Sequence, residues 1–152
     1  MNAADEVAVE EEQSIVYTEA MKFDAMAPPR PVPAEAAWQR EFQPDPVMLF
    51  RYSALTFNPH RIHYDQPYVT GEEGYPGLVV HGPLIATLMV DLCRRSRPDA
   101  EIKEFSFRAL SPLFVDRAMT LGGAPSENGL SATVWAVNDK GGLASQGEVK
   151  FA

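Results

Sequence analysis

Cysteine is almost missing from the chain. Its one example, Cys93, sits inside an apolar run, which excludes an intrachain disulfide framework and any metal site built on several thiolates. No apolar run approaches the roughly 18 residues that a membrane span needs, and the N-terminus carries neither the basic nor the apolar segment of a secretion signal. A soluble, cytoplasmic protein with no membrane partner is the expectation. Basic residues are scarce at the start: residues 1–21 hold Asp5, Glu6, Glu10, Glu11, Glu12 and Glu19 but no Lys or Arg. With those six acids set aside, 15 acidic residues face 13 basic ones, so the net charge of −8 mostly reports an acidic leader. The near-neutral body does not draw nucleic acid by charge. P-loop and G-x-G-x-x-G motifs are absent, and Ser53 lacks the G-x-S-x-G setting of a nucleophile elbow. Phosphoryl transfer, dinucleotide binding and nucleophilic hydrolysis therefore have no motif to stand on.

What is present fits one globular domain with a tail: 152 residues can bury one ordinary core, and 45% hydrophobic with 22% charged residues excludes a disordered chain. The excess is in proline. Four of the 13 prolines fall in residues 27–33, where missing donors and fixed φ favour an extended tether or, alternatively, a proline-motif ligand. Before it, residues 14–20 have the β-branched and aromatic content of an isolated strand. Residues 1–44 are read as leader, strand and linker, and residues 45–152 as the main domain. Asp45 suits an N-cap and Pro46 a first helical position, opening a short amphipathic helix that Asn58-Pro59 interrupts. Residues 83–93 are apolar on nearly every side, as in a helix wrapped by other structure; Arg94, Arg95 and Arg97 suit its C-terminus and Pro98 stops it. From residue 101 the period becomes alternating, with Phe105, Phe107 and Ala109 on one face. Residues 118–121 form a weaker strand before a turn-rich stretch, 122–129. Ser131–Val137 and Leu143–Phe151 read as a hairpin. A buried helix followed by antiparallel strands predicts an α+β domain, a curved sheet around one long helix.

All three histidines lie in two short segments, Asn58-Pro-His-Arg-Ile-His-Tyr-Asp65 and His81-Gly-Pro-Leu84. His63 is a candidate general acid or base because imidazole exchanges a proton near neutral pH; the same residues also suit loop and capping positions. Asn58 offers an amide to a water or substrate, or simply starts the turn that Asn-Pro favours. Gly82 before Pro83 places a bare N–H at a helix start, where it can meet an oxyanion or merely close a tight turn. A metal held by His60, His63, Asp65 and His81 is the competing use, disfavoured by the positive charge of Arg61.

Two blocks, Phe50-Arg-Tyr-Ser-Ala-Leu-Thr-Phe-Asn-Pro-His-Arg-Ile-His-Tyr-Asp65 and Tyr75-Pro-Gly-Leu-Val-Val-His-Gly-Pro-Leu84, resemble the MaoC-like hydratases and dehydratases of the hot-dog fold. The likeness is to the branch of mesaconyl-CoA or itaconyl-CoA hydratases and fungal-type hydroxyacyl-thioester dehydratases, and extends from about residue 12 to the C-terminus. It implies a single hot-dog domain and a hydro-lyase acting on an enoyl thioester of CoA or an acyl carrier, without metal or redox cofactor. His63 would be the general acid/base, Asn58 would orient the water, and the Gly82 N–H would hold the enolate oxygen. Arg61, His60, His81 and Tyr64 would line the substrate site, with Arg61 either pairing a second carboxylate of a dicarboxylic acyl group or standing as a surface arginine near the cluster. The family motif D-x-N-P-[LIV]-H-x-D places Asn58 where an aspartate is usual, and His60 and Arg61 at its Asn and Pro, which implies a slower or differently tuned enzyme. Relatives of this branch often carry two repeats and this chain resembles the second, so a homodimer with continuous sheets, or a heteromer with a first-repeat chain, is implied. A hot-dog thioesterase and a non-catalytic acyl-thioester-binding subunit are the alternatives.

Overall fold

Asp45 and Pro46 start the first helix as their chemistry dictates. In the computed structural model, which describes residues 3–14 and 28–152, helix α1 runs Pro46–Thr56 and the Asp45 carboxylate accepts the Met48 N–H at 2.9 Å. The helix closes on Phe57, in the left-handed region at φ 53°, and the Asn58 N–H returns to the Ser53 carbonyl at 3.0 Å. It turns Leu49 and Ser53 inward but leaves Val47, Phe50, Leu55 and Phe57 exposed, so the amphipathic helix expected from the sequence has a second apolar face. A 3₁₀ turn at Arg61–His63 leads to the short helix α2, Gln66–Gly71, capped by Asp65 through the Tyr68 N–H at 3.1 Å.

Helix α3, Gly82–Ser96, is the central element. Leu84, Ile85, Ala86, Met89, Leu92 and Cys93 are buried, while Pro83, Thr87 and Arg94 face out, so it is covered on one side rather than all round. Against it lies one five-stranded antiparallel sheet in the order β1-β3-β4-β5-β2. Its strands are β1 Trp38–Phe42, β2 Ile102–Ala109, β3 Met119–Pro125, β4 Ser131–Val137 and β5 Leu143–Phe151. Met89, Leu92 and Cys93 meet Met119, Leu121, Val134 and Val149 in the core. The α+β architecture expected from the sequence, a sheet around a long helix, is what forms, and the β4–β5 hairpin has the expected bounds.

Three features differ from expectation. The sheet reaches back past residue 45, because β1 pairs with β3 from Trp38↔Gly123 to Phe42↔Met119, and Arg40 ties it to Asp91 of α3 at 2.6 Å. Strand β3 continues through Gly122 and Gly123, where a turn was expected, because these glycines make room for the Trp135 and Trp38 side chains. On β2, Phe105 packs against the core while Phe107 is 42% exposed, their rings stacked with centroids 5.7 Å apart. The strand expected over residues 14–20 falls, beyond Ser14, outside the described residues. No helix among the described residues is long and apolar enough to cross a membrane.

Candidate active site

Val79 assembles the site. It gives its N–H to the Ile62 carbonyl at 3.0 Å and its carbonyl accepts from His63 Nδ1 at 2.7 Å, so one residue holds the 3₁₀ turn by backbone and side chain together. Val79 is itself fixed by a bridge to Phe114 and by the flanking bonds Val80 N–H to Leu113 O, 2.8 Å, and Val115 N–H to Leu78 O, 2.9 Å. A carbonyl only accepts, so neutral His63 carries its proton on Nδ1 and presents the Nε2 lone pair, which bonds no described residue. His63 is buried. Its pKa is lowered, first by burial and also by the neighbouring His60, against the opposing pull of the Val79 carbonyl.

The His63 ring lies beside the start of α3. It stacks on His81, the N-cap residue, with centroids 3.7 Å apart and planes 19° from parallel. Gly82 and Leu84 then offer N–H groups that a helix start leaves without intrahelical partners, and Pro83 between them has none. A side chain at Gly82 would meet nothing within 4 Å, so open space adjoins this N–H. A base with a free lone pair and a dipole-backed donor next to it suit proton transfer at a carbon beside a carbonyl.

The other residues singled out from the sequence fall in different surroundings. Asn58 Oδ1 accepts the His60 N–H at 3.0 Å, so its carbonyl closes the Asn-Pro turn and only its NH₂ is left for a ligand. His60 is exposed and meets His63 edge-on at 5.7 Å. Arg61 is drawn to Asp65, with Nε at 3.0 Å and Nη2 at 2.8 Å from one carboxylate oxygen, and lies 3.9 Å over the Tyr68 ring. Asp65 is held below the usual carboxylate range by the Tyr68 N–H and Arg61. Tyr64 is 41% exposed and its hydroxyl donates to Pro59 O at 2.8 Å. Thus His63, His81 and Gly82 converge; Arg61 and Tyr64 make their hydrogen bonds outside that group, and the Asp65 carboxylate is engaged by Arg61. Among the described residues no three His, Cys, Asp or Glu side chains gather as metal ligands.

Sequence reasoning passed over Ser53 except as a rejected nucleophile. Its Oγ lies 2.9 Å from His81 Nε2, and both residues are buried. The one available signal was the position of Ser53 on the inward face of α1, four residues after Leu49. A cleft of about 380 Å³, lined by Pro29, Arg30, Phe114, Arg117 and Lys140 among others, lies elsewhere and contains none of the histidines.

Residues 1–115 match the family model described as hydroxyacyl-thioester dehydratase type 2. The chain is 55% identical over 111 residues to the mesaconyl-C(4)-CoA hydratase of Chloroflexus aurantiacus, covering 71% of this chain and 39% of that protein. It is 37% identical over 120 residues to the mitochondrial hydroxyacyl-thioester dehydratase type 2 of Schizosaccharomyces pombe, covering 76% and 39%. The chain thus spans about two fifths of the length of these curated relatives. Among solved structures, the (R)-hydratase of A. caviae involved in PHA biosynthesis superposes with a TM-score of 0.61 at 23% identity, over 79% of this chain and 98% of that one. The shared architecture is the hot-dog fold anticipated from the two sequence blocks. With about three quarters of its length matched to that family model, residues 1–115, the chain belongs to the hydroxyacyl-thioester dehydratase type 2 family.

Proposed function

We propose that the chain is the catalytic hot-dog unit of a hydro-lyase that adds water to, or removes it from, the double bond of an enoyl thioester. The observation that carries this is the Nδ1–H tautomer of His63, fixed by Val79, which leaves Nε2 as a base beside the first N–H groups of α3. In hydration, Nε2 takes a proton from water while the water oxygen bonds to the β-carbon, and the π electrons shift onto the thioester oxygen. The Gly82 N–H holds that enolate oxygen, with the α3 dipole behind it. His63 then returns its proton to the α-carbon and regains the neutral state; dehydration is the same path reversed. Asn58 orients the water with its NH₂, since its carbonyl serves the turn.

The similarity to a mesaconyl-C(4)-CoA hydratase supports an acyl group bearing a second carboxylate. Arg61 is the receptor for that carboxylate in this reading, and the substrate displaces Asp65 from the guanidinium as it binds. Assembly follows from incompleteness. Strand β2 is an edge of the sheet with Phe107 exposed, and α1 leaves Phe50 61% and Leu55 80% exposed. A second copy of the chain, or a separate first-repeat chain, covers these surfaces and completes the acyl pocket.

The test is a spectrophotometric hydration assay on crotonyl-CoA and mesaconyl-CoA beside a folded His63→Ala variant, with molar mass by light scattering. Turnover that vanishes in the variant, with the thioester intact, supports the hydro-lyase; release of free thiol means hydrolysis instead. Ligand binding without His63-dependent turnover favours the second reading, a non-catalytic acyl-thioester-binding subunit. That reading draws on Asn58 standing in place of an aspartate and on the lack, among the described residues, of a carboxylate hydrogen-bonded to His63.

A further inference from the structure

The reaction just proposed leaves His81 without a chemical step, although it is the most enclosed histidine, at 0% exposure. Three contacts define it. Its Nε2 pairs with Ser53 Oγ at 2.9 Å, its ring stacks on His63, and the Tyr52 ring meets it at 4.8 Å. Its Nδ1 is buried with no partner. A proton count decides how the pair is wired. If Ser53 donates to Nε2, one orphan is left, the Nδ1–H. If Nε2–H donates to Ser53, two are left, the hydroxyl proton and a bare Nδ1. Each buried orphan is costly, so the first arrangement is favoured, with Ser53 as donor.

We propose that Ser53 and His81 are positioning residues for His63: Ser53 pins the His81 ring, and the pinned ring holds the His63 imidazole flat and confines the pair's single positive charge to His63. Two imidazoles 3.7 Å apart do not both carry charge, and the choice between them is set by their oxygen partners. Protonated His63 keeps its Nδ1–H on the Val79 carbonyl and has Nε2–H free for substrate. Protonated His81 would lose the Ser53 donor bond and bury two N–H groups with one oxygen between them. The groups facing the pair are His60 from the 3₁₀ turn and Tyr52 and Ser53 from α1. No carboxylate or guanidinium of the described residues bonds either ring. Burial and the neighbouring His63 together hold the His81 pKa down to about 4, in the same direction. The stack also presses an apolar ring face onto His63, keeping water off that face and its Nε2 aimed in one direction.

This inference rests on His63 being the acid/base of the proposed reaction, but its first readout needs no turnover. With three histidines in the chain, each imidazole is assignable by nitrogen and carbon NMR on the full-length protein. In the unaltered protein His63 and His81 are expected as Nδ1–H tautomers, with His63 the first of the two to gain a second ring proton as pH falls. Ser53→Ala, a small change on α1 checked by its melting curve, removes the donor that favours neutral His81. The His81 titration then rises by about one pH unit and that of His63 falls, because each repels charge on the other. Ser53→Thr, which keeps the hydroxyl, restores both. In the hydration assay Ser53→Ala lowers kcat about tenfold or more and moves the acid limb of its pH profile, leaving KM within twofold. An unshifted His63 titration and tautomer in folded Ser53→Ala overturns the positioning role, whatever the assay shows. Shifted titrations in a protein without His63-dependent turnover leave the pair standing and remove the hydro-lyase reading.

Discussion

A methyl group at Gly82 would enter open space, and this makes the residue a clean probe of the site. Gly82→Ala is expected to fold with an almost unchanged melting temperature, since helix N-termini accept alanine and nothing of the chain is displaced. It should nevertheless slow hydration about tenfold or more, because the methyl occupies the side of the N–H that an enolate oxygen must approach. Equal activity in a steady-state assay would mean that no ligand comes there. Arg61→Ala separates two roles in the same way. The exposed Arg61–Asp65 pair contributes little to stability, so urea unfolding should hardly change. KM for mesaconyl-CoA should rise several-fold while that for crotonyl-CoA stays put, and parallel changes in the two would remove Arg61 from acyl recognition. The residues concerned were legible to different degrees. His63 and Gly82 stand in compact motifs whose chemistry is local. Ser53 and His81, 28 positions apart, meet only because α1 and the N-terminus of α3 pack together, which no spacing rule encodes.

Glycines inside strands do the opposite of glycines in turns, and the sheet shows both. At Gly147 in β5 a Cβ would stand 2.7 Å from the Ser106 carbonyl and 2.8 Å from the Phe105 ring. Gly147→Ala is therefore expected to cost about 2 kcal/mol or more by forcing β2 away from β5, read as a lower urea midpoint. Gly141, at φ 76° in the β4–β5 turn with open space around it, should lose only about 1 kcal/mol when changed to Ala, a backbone cost alone. A reversed order would show that β2 is held less firmly than its register with β5 implies. The same chemistry explains why elements were unevenly legible. The hairpin carries its own turn, where Asn138 Oδ1 accepts from Lys140 and Gly142 N–H, so local sequence sufficed. Strand β1 has five residues beside a proline-rich tether, and its partner β3 lies some eighty positions on. Gly122-Gly123 resembles a turn until Trp135 and Trp38 lie across it. In each case the deciding contact is remote in sequence.

At the scale of the whole molecule, the buried histidine pair ties folding to pH. His81 is wholly enclosed and its pKa falls from 6.5 to about 4 on folding, with burial the larger cause and His63 the second. His63 shifts in the same direction. The unfolded chain therefore binds protons that the folded chain refuses between pH 6.5 and about 4, and stability falls as pH drops through that window. For His81 the loss is on the order of 3 kcal/mol by pH 4, a large part of the stability of a domain this size. The carboxylates held low by their partners, Asp65 and Asp91, lose their contribution only below about 3.8, under the histidine window. Urea unfolding at pH 7.5, 6.5, 5.5 and 4.5 should show stability level above 6.5 and descending beneath it. His81→Gln is the control: it removes the titrating group, so its curve should descend less steeply than that of the parent. Parallel curves for the two proteins would mean that His81 gains its proton in the folded state, and that the enclosure on which its position in the site depends is not tight.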